Sequence, residues 1–235
     1  MAFGLNRPYA QAAEDLHGRE RFAAYVAHEL RTPLAIQRAL LEVALADPSA
    51  DVATWREVGN GLLGACKRQE RLLEACLTLA RSEGGPRRYE PVDLAAIAAD
   101  ALQAHDPGEL ESVVVLEPTW TTGDPYLLER LAANLISNAI RHNSADGRIE
   151  IATRSEARRA VLVVANTGPL IRAADLQRLF EPFRRLNPSP RSVHDGVGLG
   201  LAIVQAIADA HHATITAHAR AGGGLGISVA FLALD

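Results

Sequence analysis

Between residues 24 and 45, apolar residues recur at spacings of four and seven. Val26, Leu30, Leu34, Leu41 and Leu45 fall on one stripe of a helix. The same rhythm returns in Trp55, Val58, Leu62, Cys66, Leu73, Leu77 and Ala80. Residues 10–82 are therefore predicted to form two long helices separated by ADPSAD (46–51), where Pro48 ends the first and Ser49 or Asp51 caps the second. Two helices cannot bury both stripes on each other, so a four-helix bundle built from two chains is expected.

The pattern changes at SEGGPRRYEP (82–91), where glycines, prolines and charge mark a domain boundary. Beyond it, residues 92–105, 124–143 and 199–211 read as amphipathic helices, the second with Asp124 as cap and Pro125 in its first turn. ESVVVLEP (111–118), RIEIATR (148–154), AVLVVAN (160–166), ATITAHA (213–219) and GISVAFLAL (226–234) read as strands, with a hairpin around the polar SEAR. Helices mixed with antiparallel strands predict an α+β sandwich, helices on one face of a sheet. The expected organisation is a connector (1–14), an all-α helical hairpin (15–82), a linker (83–91) and an α+β domain (92–235).

Composition narrows the function classes. A formal charge of −4 gives no support to nucleic-acid binding. No apolar run reaches the roughly 18–20 residues that cross a bilayer, and the N-terminus is not a signal peptide, so a soluble chain is expected. Two cysteines suit a reducing compartment. Cys66 and Cys76 lie about 15 Å apart along one predicted helix, too far to bridge, and read as small buried hydrophobes.

Candidate chemistry sits on the first helix, in AYVAHELRTPLAI (24–36). His28 falls nearly opposite the stripe and should face outward, with Thr32 one turn along on the same face. A neutral imidazole is a competent nucleophile, and the neighbouring Glu29 can accept its proton. A zinc H-E-x-x-H motif is excluded because Thr32 occupies the second histidine's place. A surface histidine would be the ordinary reading of His28 alone.

HELRTPL resembles the phosphoacceptor box of bacterial two-component sensor histidine kinases, which lies on the first helix of a dimerisation hairpin. The resemblance implies that His28 is phosphorylated, that Glu29 is its base, that Thr32 orients water for dephosphorylating a partner, and that Pro33 marks a helix kink. In NLISNAIRHN (134–143), Asn134, Asn138, Arg141 and His142 share adjoining positions of one helix. Asn138 can offer a carbonyl oxygen to Mg²⁺, while Arg141 and His142 can face phosphate. This run resembles the family's N box. In the related gyrase, Hsp90 and MutL type ATPases a glutamate stands four residues before the metal asparagine; Asn134 cannot serve as such a base, which favours a kinase over an ATPase.

VVANTGPLI (163–171) resembles the family's G1 box, with Asn166 in place of the adenine-binding aspartate, Gly168 retained and Leu170 replacing the last glycine. An amide oxygen still accepts a hydrogen bond from the adenine amino group, without the charge that strengthens it. LFEPFRRL (179–186) resembles the F box, with Phe180 and Phe183 at the base of a lid (184–195). GVGLGLAIV resembles the G2 box, where Gly196, Gly198 and Gly200 let backbone N–H groups approach phosphates at a helix start. GGGLGISVAF (222–231) resembles the closing strand motif, with Leu225 where serine or threonine is usual.

The resemblance implies an ATP-dependent protein-histidine autokinase with a Bergerat-type ATP-binding fold, using ATP and Mg²⁺ and working as a homodimer in the cytoplasm. Its phosphoryl group would pass to an aspartate of a response-regulator receiver domain. Alternatives are a signalling scaffold or phosphatase with a degenerate nucleotide site, motivated by Asn166 and Leu170, and a plain ATPase. Family members usually carry a membrane-spanning sensor upstream, so the chain is expected to be the soluble part of such a protein, or a short kinase served by one, with no membrane contact of its own.

Overall fold

A computed structural model describes residues 6–86, 88–184 and 198–234. The chain divides into two compact units, residues 1–74 and 75–235. In the first, α1 (Asn6–Ala46) runs unbroken through Pro33, and α2 (Val52–Glu83) begins after a short turn. Asp51 caps α2, its carboxylate accepting from the Thr54 N–H and hydroxyl, both at 2.8 Å. Ser49 is not the cap. Its N–H and hydroxyl are taken by Asp47 at 2.8 and 2.6 Å, which folds the turn back on itself.

Among the described residues of this unit the buried apolar positions are Ala44, Ala65 and Leu72. The predicted stripes stay open: Leu34 is 56% exposed, Leu45 73% and Leu73 50%. The two helices of one chain thus cover the stripes only in part, with Val26, Leu30, Val58 and Leu62 half-buried. Cys66, expected to be buried, is exposed, its sulfur accepting from Gln37 Nε2 at 3.6 Å. Cys76 is half-buried, and that burial pushes its thiol pKa up.

The second unit is built on a five-stranded sheet in the order β2 (Glu111–Leu116), β4 (Arg148–Glu156), β5 (Arg159–Asn166), β7 (Leu225–Leu232), β6 (Thr214–Ala219). All pairs are antiparallel except β2 with β4, which run parallel. The chain leaves β2, passes through α4 (Pro125–Arg141) and re-enters at β4, and such a crossover permits the parallel pair. α3 (Leu94–Ala104), α4 and α5 (Gly200–Ala210) cover one face, with α4 in contact with both of the others. Ile149, Ile151, Leu162, Val164, Ile227, Val229 and Phe231 form the buried face beneath them.

Two short strands escape the sequence pattern: β1 (Glu90–Asp93) and β3 (Trp120–Gly123), which pair antiparallel. Helix α3 starts at Leu94 rather than 92, because Asp93 is its cap and accepts from the Ala95 and Thr119 N–H groups at 3.0 and 2.9 Å. Asp124 caps α4 and Pro125 opens it, as the sequence predicts. The β4–β5 hairpin turns on Ala157 and Arg158 alone, both at positive φ (45° and 65°). Eight paired residues on either side impose this turn on residues that do not favour it.

His211 fastens the ends of α4 and α5. Its Nδ1–H donates to the Ile207 carbonyl at 2.8 Å, and Nε2 accepts from the Asp124 N–H at 3.0 Å. That arrangement requires the neutral ring, and burial lowers its pKa against the smaller opposing pull of the Ile207 bond and Asp124. The unfolded chain therefore takes up this proton first, near pH 6.5. Stability from this group is complete above about pH 6.5 and is lost as pH falls from there toward the lower folded-state value. Chemical denaturation between pH 8 and 5 is expected to show this loss, and His211→Asn to flatten it.

Candidate active site

His28 is exposed on α1, Glu29 half-buried beside it and Thr32 exposed one turn later. No hydrogen bond joins Glu29 to the imidazole. The Thr32 hydroxyl donates to the His28 carbonyl at 3.2 Å. Pro33 has no N–H for the Glu29 carbonyl, so the backbone ladder is interrupted directly after the histidine. The result is an accessible ring on a rigid helix, with a hydroxyl on the same face.

The other sequence-predicted residues lie in the second unit, around the C-terminal half of α4. Asn134 and Asn138 are half-buried and one turn apart; Arg141 and His142 are exposed at the helix end. The two asparagines differ in commitment. Asn134 Nδ2 donates to the Arg130 carbonyl at 2.7 Å, and its oxygen lies against Gly200, where a Cβ would stand 3.3 Å away. Asn138 has no side-chain hydrogen bond among the described residues, so its amide oxygen is available to a ligand.

Strand β5 ends on Asn166, which is 4% exposed and aligned with the core row Ile149–Leu225. Its Nδ2 donates to the carbonyls of Thr167 at 2.6 Å and His142 at 3.3 Å. Thr167 is itself tied down: its hydroxyl donates to Asn143 Oδ1 at 2.6 Å and accepts from the Arg148 N–H at 2.8 Å. The His142 carbonyl then closes on Gly168 so tightly that a Cβ there would overlap it. On the other side, Gly224 donates to the Pro169 carbonyl at 3.0 Å, and a Cβ on Gly223 or Gly224 would overlap the carbonyls of Gly168 and Asn166 respectively. Arg220, which closes that turn, pairs with Glu150 at 3.0 Å.

The sequence motifs do not single out Asn143 and Thr167, although Thr167 stands inside ANTGP, nor Gly147, where a Cβ would overlap Asn143 Oδ1 and Thr167 Oγ1. The signal for Gly223 and Gly224 was the GGG run itself. Leu170 is 79% exposed and takes no part in the packing of this loop.

The remaining predicted residues collect at the start of α5. Phe183, at φ 64°, donates its N–H to the Gly198 carbonyl at 2.8 Å. Phe180 is half-buried on a short 3₁₀ turn and lines a groove with Leu176, Ile215 and Ala217, the packing role of an ordinary aromatic. Gly196 and the lid residues 185–195 lie outside the described residues. Unlike α3 and α4, α5 has no side-chain cap: Leu199 precedes it and offers no acceptor. Among the described residues no side chain caps its first N–H groups, an arrangement that suits a ligand with acceptor oxygens.

Residues 18–85 match the His Kinase A (phospho-acceptor) domain, and residues 123–235 match the histidine kinase-, DNA gyrase B- and HSP90-like ATPase. The sensor protein CutS of Streptomyces coelicolor is 47% identical over 212 residues, covering 88% of this chain and 51% of that protein. The sensor protein kinase PmrB of Pseudomonas aeruginosa is 35% identical, covering 85% of this chain and 42% of that one. The chain thus spans about half the length of these relatives. Among solved structures, the Acinetobacter baumannii histidine kinase AdeS superposes with a TM-score of 0.67 at 26% identity, over 88% of this chain and 98% of that one. The chain belongs to the sensor histidine kinases and comprises the phosphoacceptor and ATPase portions of that family.

Proposed function

We propose that the protein is an ATP-dependent autokinase that phosphorylates His28 and passes the phosphoryl group to an aspartate of a response-regulator receiver domain. The observation that carries this reading is the end of α4, where the uncommitted Asn138, the buried amide of Asn166 and the uncapped start of α5 gather on one ATPase-type domain. Adenine goes to Asn166, and the phosphates to Arg141, His142 and the N–H groups after Gly198. An imidazole nitrogen of His28 attacks the γ-phosphorus in line. The bond to the bridging oxygen breaks with its electron pair leaving on ADP, and the imidazole proton passes to Glu29. Positioning and charge neutralisation supply most of the rate.

Among the described residues no three His, Cys, Asp or Glu side chains gather as a metal cage. A free asparagine oxygen fits Mg²⁺, which keeps waters and substrate phosphates as its other ligands. Bound there through Asn138, the ion would neutralise developing phosphate charge. Asn134 is neutral and bonded to its own helix, which leaves no base for water attack and disfavours a plain ATPase.

The exposed stripe positions, with Leu45 at 73% and Leu77 at 59%, fit a homodimer through the hairpin. Thr32 is assigned to orienting water when a regulator is dephosphorylated. No helix among the described residues is long and apolar enough to cross a membrane, and the reading places the chain in the cytoplasm with its ATP. A sensor spanning the membrane would stand upstream or act as partner. The test is phosphotransfer. After incubation with γ-labelled ATP and Mg²⁺, label is expected to leave the chain for one of the host's receiver domains, while release to water with no labelled receiver would refute it.

A further inference from the structure

An amide pair interrupts the apolar seam between α1 and α2. Gln37 and Gln69 are half-buried, and Gln37 Nε2 donates to Gln69 Oε1 at 3.4 Å and to Cys66 Sγ at 3.6 Å. One turn away on either helix the residues are apolar. Ala65 and Leu72 are buried, whereas Leu34, Leu41 and Leu73 lie open at 56%, 38% and 50%. The pair therefore sits where the covered seam passes into the uncovered stripes.

A glutamine amide has two N–H donors and one acceptor oxygen. Gln37 directs its donors to Gln69 and Cys66, and its own oxygen has no partner among the described residues. Gln69 is the converse: its oxygen is engaged, while its Nε2 donates to nothing among the described residues. Turning either amide over would set oxygen against oxygen or N–H against N–H, so the assignment holds as a unit. Each chain is left with one unspent acceptor and one unspent donor group at a single level of the hairpin. Such a set is self-complementary under a two-fold axis, because each chain offers what the other lacks.

We propose that Gln37 and Gln69 close a ring of amides with a second copy of this chain, each Gln69 Nε2 donating to the partner's Gln37 Oε1, and that this polar layer fixes the register and the like-with-like pairing of the hairpins. This rests on reading the exposed stripes as a homodimer surface. Apolar stripes alone tolerate several registers, since one leucine packs on another at every turn. A slip of one turn sets each amide against an apolar neighbour and leaves its donors and acceptor buried without partners. The same penalty falls on a foreign hairpin that carries no amides at this level. Cys66 has a supporting part, taking the second hydrogen of Gln37 and so holding that amide in its orientation.

The test mixes two variants of the full chain, Gln37→Leu and nitrogen-15-labelled Gln69→Leu, and counts homodimers and heterodimer by native mass spectrometry after subunit exchange. Contacts within each chain are the same in every dimer, so only pairing across the interface alters the proportions. Each homodimer sets leucine against glutamine twice, whereas the heterodimer has one leucine pair and one amide pair. The heterodimer is expected to make up about three-quarters of the dimers, the share that a tenfold preference gives, against about one half for random mixing. Gln37→Glu mixed with Gln69→Lys asks the same question with a charge pair, and a heterodimer excess is expected there too, so a misfolded leucine variant does not remove the test. A share of one half in any mixture of folded variants, with wild type dimeric, would overturn the amide ring and leave the homodimer standing. A monomeric wild-type chain would overturn both.

Discussion

Gly224→Ala is expected to lower the melting temperature of the ATPase portion by about 10 °C and to remove nucleotide binding, whereas Gly222→Ala, two residues earlier, leaves both unchanged. At Gly224 the backbone has φ +102°, a conformation that side chains rarely adopt. An added Cβ would overlap the Asn166 carbonyl and come within 2.8 Å of Thr167 Cα. Both partners are backbone, and both are pinned by the Thr167–Asn143–Arg148 network, so neither yields cheaply. Strain and overpacking together amount to about 3–5 kcal/mol, several times the effect of an ordinary surface change. Any relief comes from displacing the Asn166 loop. At Gly222 no atom lies within 4 Å, so a methyl group meets open space. Thermal denaturation followed by circular dichroism, with a fluorescent nucleotide titration, checks both variants.

Asn138→Ala should leave the melting temperature within about 2 °C of wild type and cut the rate of ATP-dependent phosphorylation by about a hundredfold or more. The side chain is half-buried and makes no hydrogen bond among the described residues, so the fold loses little. What is lost is the amide oxygen that the proposed reading offers to Mg²⁺ beside the phosphates. Asn134→Ala offers the contrast. It removes the 2.7 Å bond to the Arg130 carbonyl and the contact with Gly200, so its effect should fall more on stability. Rates of label incorporation at saturating and limiting ATP, measured beside melting curves, separate the two roles.

Much of this arrangement was legible because it rests on periodicity and caps. The long helices, Asp124 with Pro125, and the order of strands and helices follow from spacing and local chemistry. β1 and β3 were not, since EPVD and WTTG are four residues long and carry no alternation worth reading. The parallel pairing of β2 with β4 was equally hidden, because a strand's pattern says which face is buried and nothing of its neighbour's direction. The stripe on α2 was legible as apolar and as more than one partner helix can cover, and Leu73 on it is exposed; the burial expected of Cys66 is not seen within a single chain.

The candidate site divides along the same line. His28, Asn138 and Asn166 were found by the motifs they stand in, whereas the groups that orient Asn166 are backbone carbonyls and a threonine hydroxyl, brought together by residues 24 positions apart. Backbone carbonyls have no sequence signature. In sequence, asparagine in place of the family's aspartate reads as a plain loss of charge, whereas in the structure its Nδ2 donates to Thr167 and His142.

The most direct measurement is the site of phosphorylation. The chain is incubated with γ-labelled ATP and Mg²⁺, treated with acid or base, digested, and the modified peptide identified by mass spectrometry. The expected result is one phosphoryl group on the peptide bearing His28, stable to base and lost in acid, and absent from His28→Gln although that variant still binds ATP. Undiminished labelling of His28→Gln, or steady phosphate release from a protein that never carries label, would contradict it.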